Sequence, residues 1–190
     1  VEKKVFDNQD GTSTGGFGFS ADHAINEEFQ FQLTATLPAS EGNDRAYDYY
    51  KTYSVIFHDT LSEGITYDRP DSVVIKSNSN TYAITIDSSK YTIGLESQNY
   101  LVVNIPNVRD CAKDAGLDLN DGATITVTYT AHLNEKASVN AISNINKVYL
   151  TYSNNPRDES SIGKTPESDV CVYTYQLNNT KHQDTKDGLA

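Results

Sequence analysis

Phe29-Gln30-Phe31-Gln32-Leu33-Thr34-Ala35-Thr36-Leu37 alternates apolar and polar side chains without a break and is closed by Pro38. Successive strand residues point to opposite faces, so this run puts Phe, Phe, Leu, Ala and Leu on one side and Gln and Thr on the other. The same spacing recurs in Tyr53-x-Val55-x-Phe57, in Ile125-x-Val127-x-Tyr129-x-Ala131-x-Leu133 and in Val148-x-Leu150-x-Tyr152. Residues 1–6, 73–76, 82–86, 100–105 and 170–177 give weaker runs, bounded by Gly, Asn, Asp and Pro. About nine short strands at spacings of roughly 8–20 residues predict an all-β chain folded as two packed antiparallel sheets. Helix is expected only as a short piece within residues 107–117 and a turn at 45–50. Residues 11–18 and 154–165 read as loops.

Composition narrows the function. With 190 residues the chain is long enough to bury a real core. Its mean hydropathy is -0.56, and no apolar run approaches the roughly 20 residues of a membrane span. Lys and Arg number 15 against 26 Asp and Glu, a net charge of -11, which argues against a nucleic-acid partner. No signal peptide is visible and Met is absent, so the chain is expected to be a segment of a longer precursor. Residues 178–190 lose the apolar alternation. The expected organisation is one domain over 1–177, followed by a linker or the start of the next domain over 178–190.

Motifs for catalysis or metal binding are missing. His23, His58, His132 and His182 have no metal-ligand spacing, and HExxH, GxSxG and P-loop patterns are absent. Asp7-Asn8-Gln9-Asp10-Gly11 lacks the later ligands of a calcium loop and reads as a turn. Asn178-Asn179-Thr180 fits a glycosylation sequon in the tail. No metal and no cofactor are expected.

One pattern stands out, in that polar residues share a strand face with core residues. If Val1 and Val5 point inward, so does Lys3. Val55 and Phe57 carry Asp59 with them, and Val148, Leu150 and Tyr152 carry Asn154. Burying an ammonium, a carboxylate and a carboxamide separately is costly, whereas burying them together invites pairing or reaction.

The runs VEKKV (1–5), YSVIFHDTLSEGITY (53–67), ATITVTYTAHLNEKA (123–137), NKVYLTYSNNP (146–156) and TPESDVCVYTYQL (165–177) resemble the isopeptide-forming domains of Gram-positive pilin shafts. The resemblance extends from Val1 to Leu177, and the tail is similar to the opening strand of a following pilin domain. It implies an immunoglobulin-like antiparallel β-sandwich with a self-formed Lys–Asn isopeptide crosslink. It also implies a cell-wall-anchored pilus (fimbrial) shaft subunit outside the cell. The partners implied are other pilin subunits in a covalent fibre, and sortase acting through motifs outside this segment. Carried over position by position, the crosslink joins Lys3 and Asn154, with Asp59 promoting it. Lys4 and Asn155, of opposite parity, are second choices, and Glu27 or Glu28 the next acids. Lys181 is expected to stay unmodified.

In this reading the chemistry is single-turnover self-modification and not enzymatic turnover. Lys3, made neutral by burial, attacks the Asn carbonyl, and ammonia leaves. The alternative is a module of a surface adhesin with the same fold that binds a host surface ligand. Residues 40–51 and 106–122 are the only loops with room for its groove. Cys111 and Cys171 depart from a family whose domains usually lack cysteine. Two readings stand for them: a disulfide tying the exit strand to the crosslinked region, or two separate thiols acting as small hydrophobes.

Overall fold

The structure, a computed structural model, describes residues 1–8, 15–139 and 143–175. In chain order its elements are β1 (Glu2–Asp7), β2 (Gly16–Gly18), β3 (Ser20–Asp22), β4 (Glu28–Leu37), β5 (Val55–Leu61), β6 (Ile65–Ser77), β7 (Ile84–Thr85), β8 (Thr92–Ser97), β9 (Tyr100–Ile105), α1 (Val108–Asp114), β10 (Ala123–Leu133), β11 (Asn144–Ser153), β12 (Ile162–Lys164) and β13 (Ser168–Tyr173). They form two sheets, ordered β2-β1-β4-β10-β6-β7 and β3-β13-β11-β5-β9-β8, with β12 hydrogen-bonded to β11. Among the described residues every strand-to-strand pairing is antiparallel except that of β13 with β3, and an isolated parallel bridge joins Ile25 to Leu133. The expected all-β sandwich is the fold observed.

The alternation does what its period requires. On β4, Phe29, Phe31, Leu33, Ala35 and Leu37 are all buried. In register beside them on β10 stand Tyr129 against Phe31, Val127 against Leu33 and Ile125 against Ala35. β5 supplies the facing layer with Val55, Phe57 and Leu61. Pro70 is accommodated within β6 because β7 pairs only with Val74 and Ile75, and two register shifts against β10 lie beside it.

The expected helix is α1, which buries Val108, Cys111 and Ala112 and stops at Gly116, whose φ of +67° suits glycine. Gly122 (φ +78°) opens β10 after a 3-10 turn over Leu119–Asp121. A Cβ there would lie 2.5 Å from Asn78 Nδ2, so the turn requires glycine. Strands β2, β3, β8 and β12 were not anticipated. Three of them are three residues long, and β8 is an edge strand with no buried residue, so neither kind carries a period-two signal. Residues 178–190, with the sequon and Lys181, lie outside the described residues, as do 9–14 of the Asp7–Gly11 turn and its loop.

Candidate crosslinking site

Lys3 on β1 pairs with Leu33 of β4, deep in the first sheet. Asp59 on β5 lies between Leu101 and Val148 in the second. Both are fully buried, and they meet across the sandwich. Lys3 Nζ is 2.6 Å from both carboxylate oxygens of Asp59. The ammonium also sits 4.8 Å from the centre of the Phe31 ring and 5.4 Å from that of Tyr129. Lys4, of the opposite parity, pairs with Glu2 near the surface. Among the alternative acids, Glu27 engages His23 and the Ala24 amide, and Glu28 is exposed against Arg69.

Burial acts on both charges in the same sense. It lowers the Lys3 ammonium from 10.5 to about 8 despite the opposing pull of Asp59. Desolvation likewise raises the Asp59 carboxyl, against Lys3 and a hydrogen bond from Tyr129. Each shift favours the neutral form, so the low dielectric pushes the shared proton from nitrogen towards oxygen.

Asn154 does not join this pair. It is exposed just beyond β11, with its Oδ1 accepting from Ser161 Oγ at 2.7 Å. The parity that was expected to carry it inward fails because Ser153, not Tyr152, turns into the core and ends the strand. Ser153 Oγ accepts from Ser54 N at 3.0 Å. Asn155 is exposed as well, its Oδ1 accepting from Arg157 N.

Counted backwards from Val148, the same period reaches Asn146, and this side chain is fully buried. Its Nδ2 donates to Tyr129 Oη at 2.8 Å. Tyr129 Oη in turn donates to Asp59 Oδ2 at 2.7 Å and accepts from Lys3 Nζ at 3.2 Å. Asn146 Oδ1 is buried and has no hydrogen-bond partner among the described residues, which ordinarily costs about 1–3 kcal/mol. Asn144, two residues earlier on the same face, is different. Its Oδ1 accepts from Ser138 N, and its Nδ2 donates to the Ser138 and Val172 carbonyls. Asn144 therefore holds a loop, whereas Asn146 is an amide with a bare oxygen, linked to the Lys3 amine through the Tyr129 hydroxyl.

Sequence reasoning missed Asn146 and Tyr129. A hydroxyl inside the 125–133 core run, and the parity of 146 with 148, were the available signals.

The disulfide reading does not hold, since Cys111 and Cys171 are both free. Cys111 is on α1, beside Ile84, Ile86 and Lys90 at the β7 edge of the sandwich. Cys171 is on β13 against β3 and β11, at the opposite edge. The loops with room for a ligand groove form an open polar cleft, but its side chains are tied to one another. Arg45 pairs with Asp48 and Asp118, and Asn120 donates to both carboxylates. No group of three or more His, Cys, Asp and Glu fit to hold a metal occurs among the described residues, and none of their helices is long and apolar enough to cross a membrane.

No protein-family model and no curated protein matches this sequence. Solved structures match its fold. The 35 kDa C-terminal fragment of the major pilin GBS80 of Streptococcus agalactiae is 20% identical with a TM-score of 0.61, over 90% of this chain and 55% of that one. The major pilin SpaD of Corynebacterium diphtheriae is 17% identical with a TM-score of 0.57, over 90% and 33%. BcpA, the major pilin subunit of Bacillus cereus, is 14% identical with a TM-score of 0.54, over 90% and 47%. The chain spans about half or less of these pilins. Its fold is therefore the all-β sandwich that recurs in the major pilins of Gram-positive bacteria.

Proposed function

We propose that this chain is a structural domain of a pilus shaft subunit, stapled by an isopeptide bond between Lys3 and Asn146 that forms with the help of Asp59. The observation that carries the reading is the buried Lys3–Asp59 pair facing the unsatisfied Asn146 amide through a shared tyrosine hydroxyl. The pilin-like fold supports it. So does position, because Lys3 is in one sheet and Asn146 in the other, and a bond between them joins the sheets covalently. The shaft subunit lies outside the cell in a covalent fibre of like subunits, linked by sortase through motifs beyond this segment.

The chemistry follows from the burial. Asp59 takes a proton from Lys3, leaving a neutral amine that attacks Asn146 Cγ; ammonia departs and an amide remains. The fold supplies the proximity, which is worth about 7–11 kcal/mol for well-placed groups. Intact mass of the purified domain is expected to fall short of the sequence mass by one ammonia. A tryptic map is expected to contain one joined peptide spanning Lys3 and Asn146. A folded sample at full sequence mass excludes the bond, and a joined peptide containing Asn154 instead reassigns the partner.

A further inference from the structure

The attacking and departing nitrogens of this crosslinking reaction lie at the two ends of one hydrogen-bonded chain. Lys3 Nζ donates to Asp59, Asp59 Oδ2 accepts from Tyr129 Oη, and Tyr129 Oη accepts from Asn146 Nδ2. Asp59 is the proton acceptor for the amine, yet its side-chain hydrogen bonds run to Lys3 and Tyr129. The nitrogen that must gain a proton in order to leave is held by the tyrosine. We propose that Tyr129 is a catalytic residue of the crosslinking reaction, relaying a proton from Asp59 to the departing nitrogen of Asn146. This inference rests on the crosslink reading above.

The balance closes without another reactant. A proton passes from Lys3 Nζ to Asp59, giving an amine and a carboxylic acid. Nζ bonds to Asn146 Cγ, and the carbonyl π pair moves to Oδ1. Once Asp59 is protonated, the Tyr129 hydroxyl turns from Asp59 to the lone pair that Nδ2 gains in the tetrahedral adduct, which reverses both hydrogen bonds, and Asp59 protonates Tyr129 Oη as the hydroxyl proton moves to Nδ2. The Cγ–Nδ2 bond breaks with its electron pair on nitrogen, Oδ1 re-forms the carbonyl, and ammonia leaves. The surplus proton on Nζ returns to Asp59. Tyrosine ends as it began, Asp59 ends as the neutral acid holding the proton that came from Lys3, and one ammonia has been lost.

A hydroxyl suits the relay because it donates and accepts through one atom and need not become charged at any stage. Burial and the neighbouring Asp59 carboxylate push the phenol well above its ordinary value, which opposes a free tyrosinate and favours a coupled transfer. The ring has a separate task. It packs 5.3 Å from Phe31 and 5.6 Å from Tyr67, measured between ring centroids, and phenylalanine would fill the same space.

The test follows ammonia loss by intact mass after a short pulse of cell-free synthesis of the full chain, wild type against Tyr129→Phe. The expected result is crosslinking slower by at least about 100-fold in Tyr129→Phe, the ordinary contribution of a positioned acid–base group, with an unchanged far-UV circular dichroism spectrum. Crosslinking at the wild-type rate overturns the relay. A wild-type chain that never loses ammonia overturns the crosslink itself, which is a distinct outcome. If Tyr129→Phe does not fold, the wild-type rate is measured in mixtures of light and heavy water. Two protons in flight bow that dependence downward, and a straight or flat line overturns the relay.

Discussion

Asn146→Ala, set against Asn154→Ala, separates the buried amide from the one that sequence parity favoured. A bond from residue 3 to residue 146 closes a loop of about 140 residues, and the chain-entropy relation gives about 5 kcal/mol of stabilisation for that length. The hydrogen bond from Asn146 Nδ2 to Tyr129 leaves with the ammonia and adds nothing to the crosslinked parent, so the covalent term decides the outcome. For a domain of this size each kcal/mol moves the melting temperature by about 2–4 °C. Asn146→Ala is therefore expected to keep full mass, apart from the substitution, and to melt about 10–20 °C below the parent. Asn154→Ala removes an exposed hydrogen bond to Ser161. It should lose ammonia as the parent does and melt within about 2 °C of it. Intact mass and calorimetry on the two variants decide the matter. An Asn146→Ala protein that still loses ammonia, or that melts with the parent, would refute the assignment and the loop argument together.

Asp59→Asn keeps the volume and removes the proton acceptor, so the folded protein should retain full mass; quantitative crosslinking in it would show that another acid acts. Both variants leave the buried Lys3 without its counter-charge, at a cost of about 3–5 kcal/mol unless Lys3 deprotonates, and Asp59→Ala is the poorer probe because it adds a cavity to that cost. The reactive pair holds one proton, and Lys3 is lowered to about 8, so the crosslinking rate should be flat near neutrality. Above about pH 8 it should fall by about tenfold per unit as that proton is lost, whereas a rate rising towards pH 10 would mark an ordinary solvated lysine. Thiol titration should find one fast group, Cys171, and a second, Cys111, only on denaturation, since burial raises the Cys111 thiol; no free thiol in the unreduced protein would reinstate the disulfide. Pulled from its ends, the crosslinked domain should release only the residues after Asn146, about 100 Å of chain, against about 600 Å for Asn146→Ala. Equal extensions in a force spectrometer would rule out the staple.

What the sequence discloses about the fold is its two-faced strands. Phe29 to Leu37 and Ile125 to Leu133 lie side by side in the middle of one sheet, and their apolar faces repeat without interruption because both are covered along their whole length. β8 repeats nothing, because an edge strand has little to bury. Lys3 and Asp59 were legible for the same reason as the core: each stands at period two from a buried neighbour within a regular strand. The disulfide could not be judged that way, since the distance between α1 and β13 depends on the assembled sandwich and not on any local pattern.

The amide shows where parity stops being informative. β11 carries Asn144 and Asn146 at one end and is followed by Asn154 and Asn155 at the other, and a strict period of two admits three of the four to the core. Strand ends decide among them, and those ends are set by neighbours remote in sequence: Ser54 draws Ser153 inward, which turns Asn154 out. Between the two that remain, burial hardly discriminates, because Asn144 and Asn146 are both buried. Hydrogen-bond satisfaction does. An amide whose oxygen and nitrogen are both engaged, as in Asn144, is held by its surroundings and resists attack. One whose oxygen is bare and whose nitrogen touches a proton carrier has lost its solvent and gained only part of a replacement. Conversion to an isopeptide removes that nitrogen altogether. The amide with the bare oxygen is thus the one that the reaction converts, and what it loses is the nitrogen held by Tyr129.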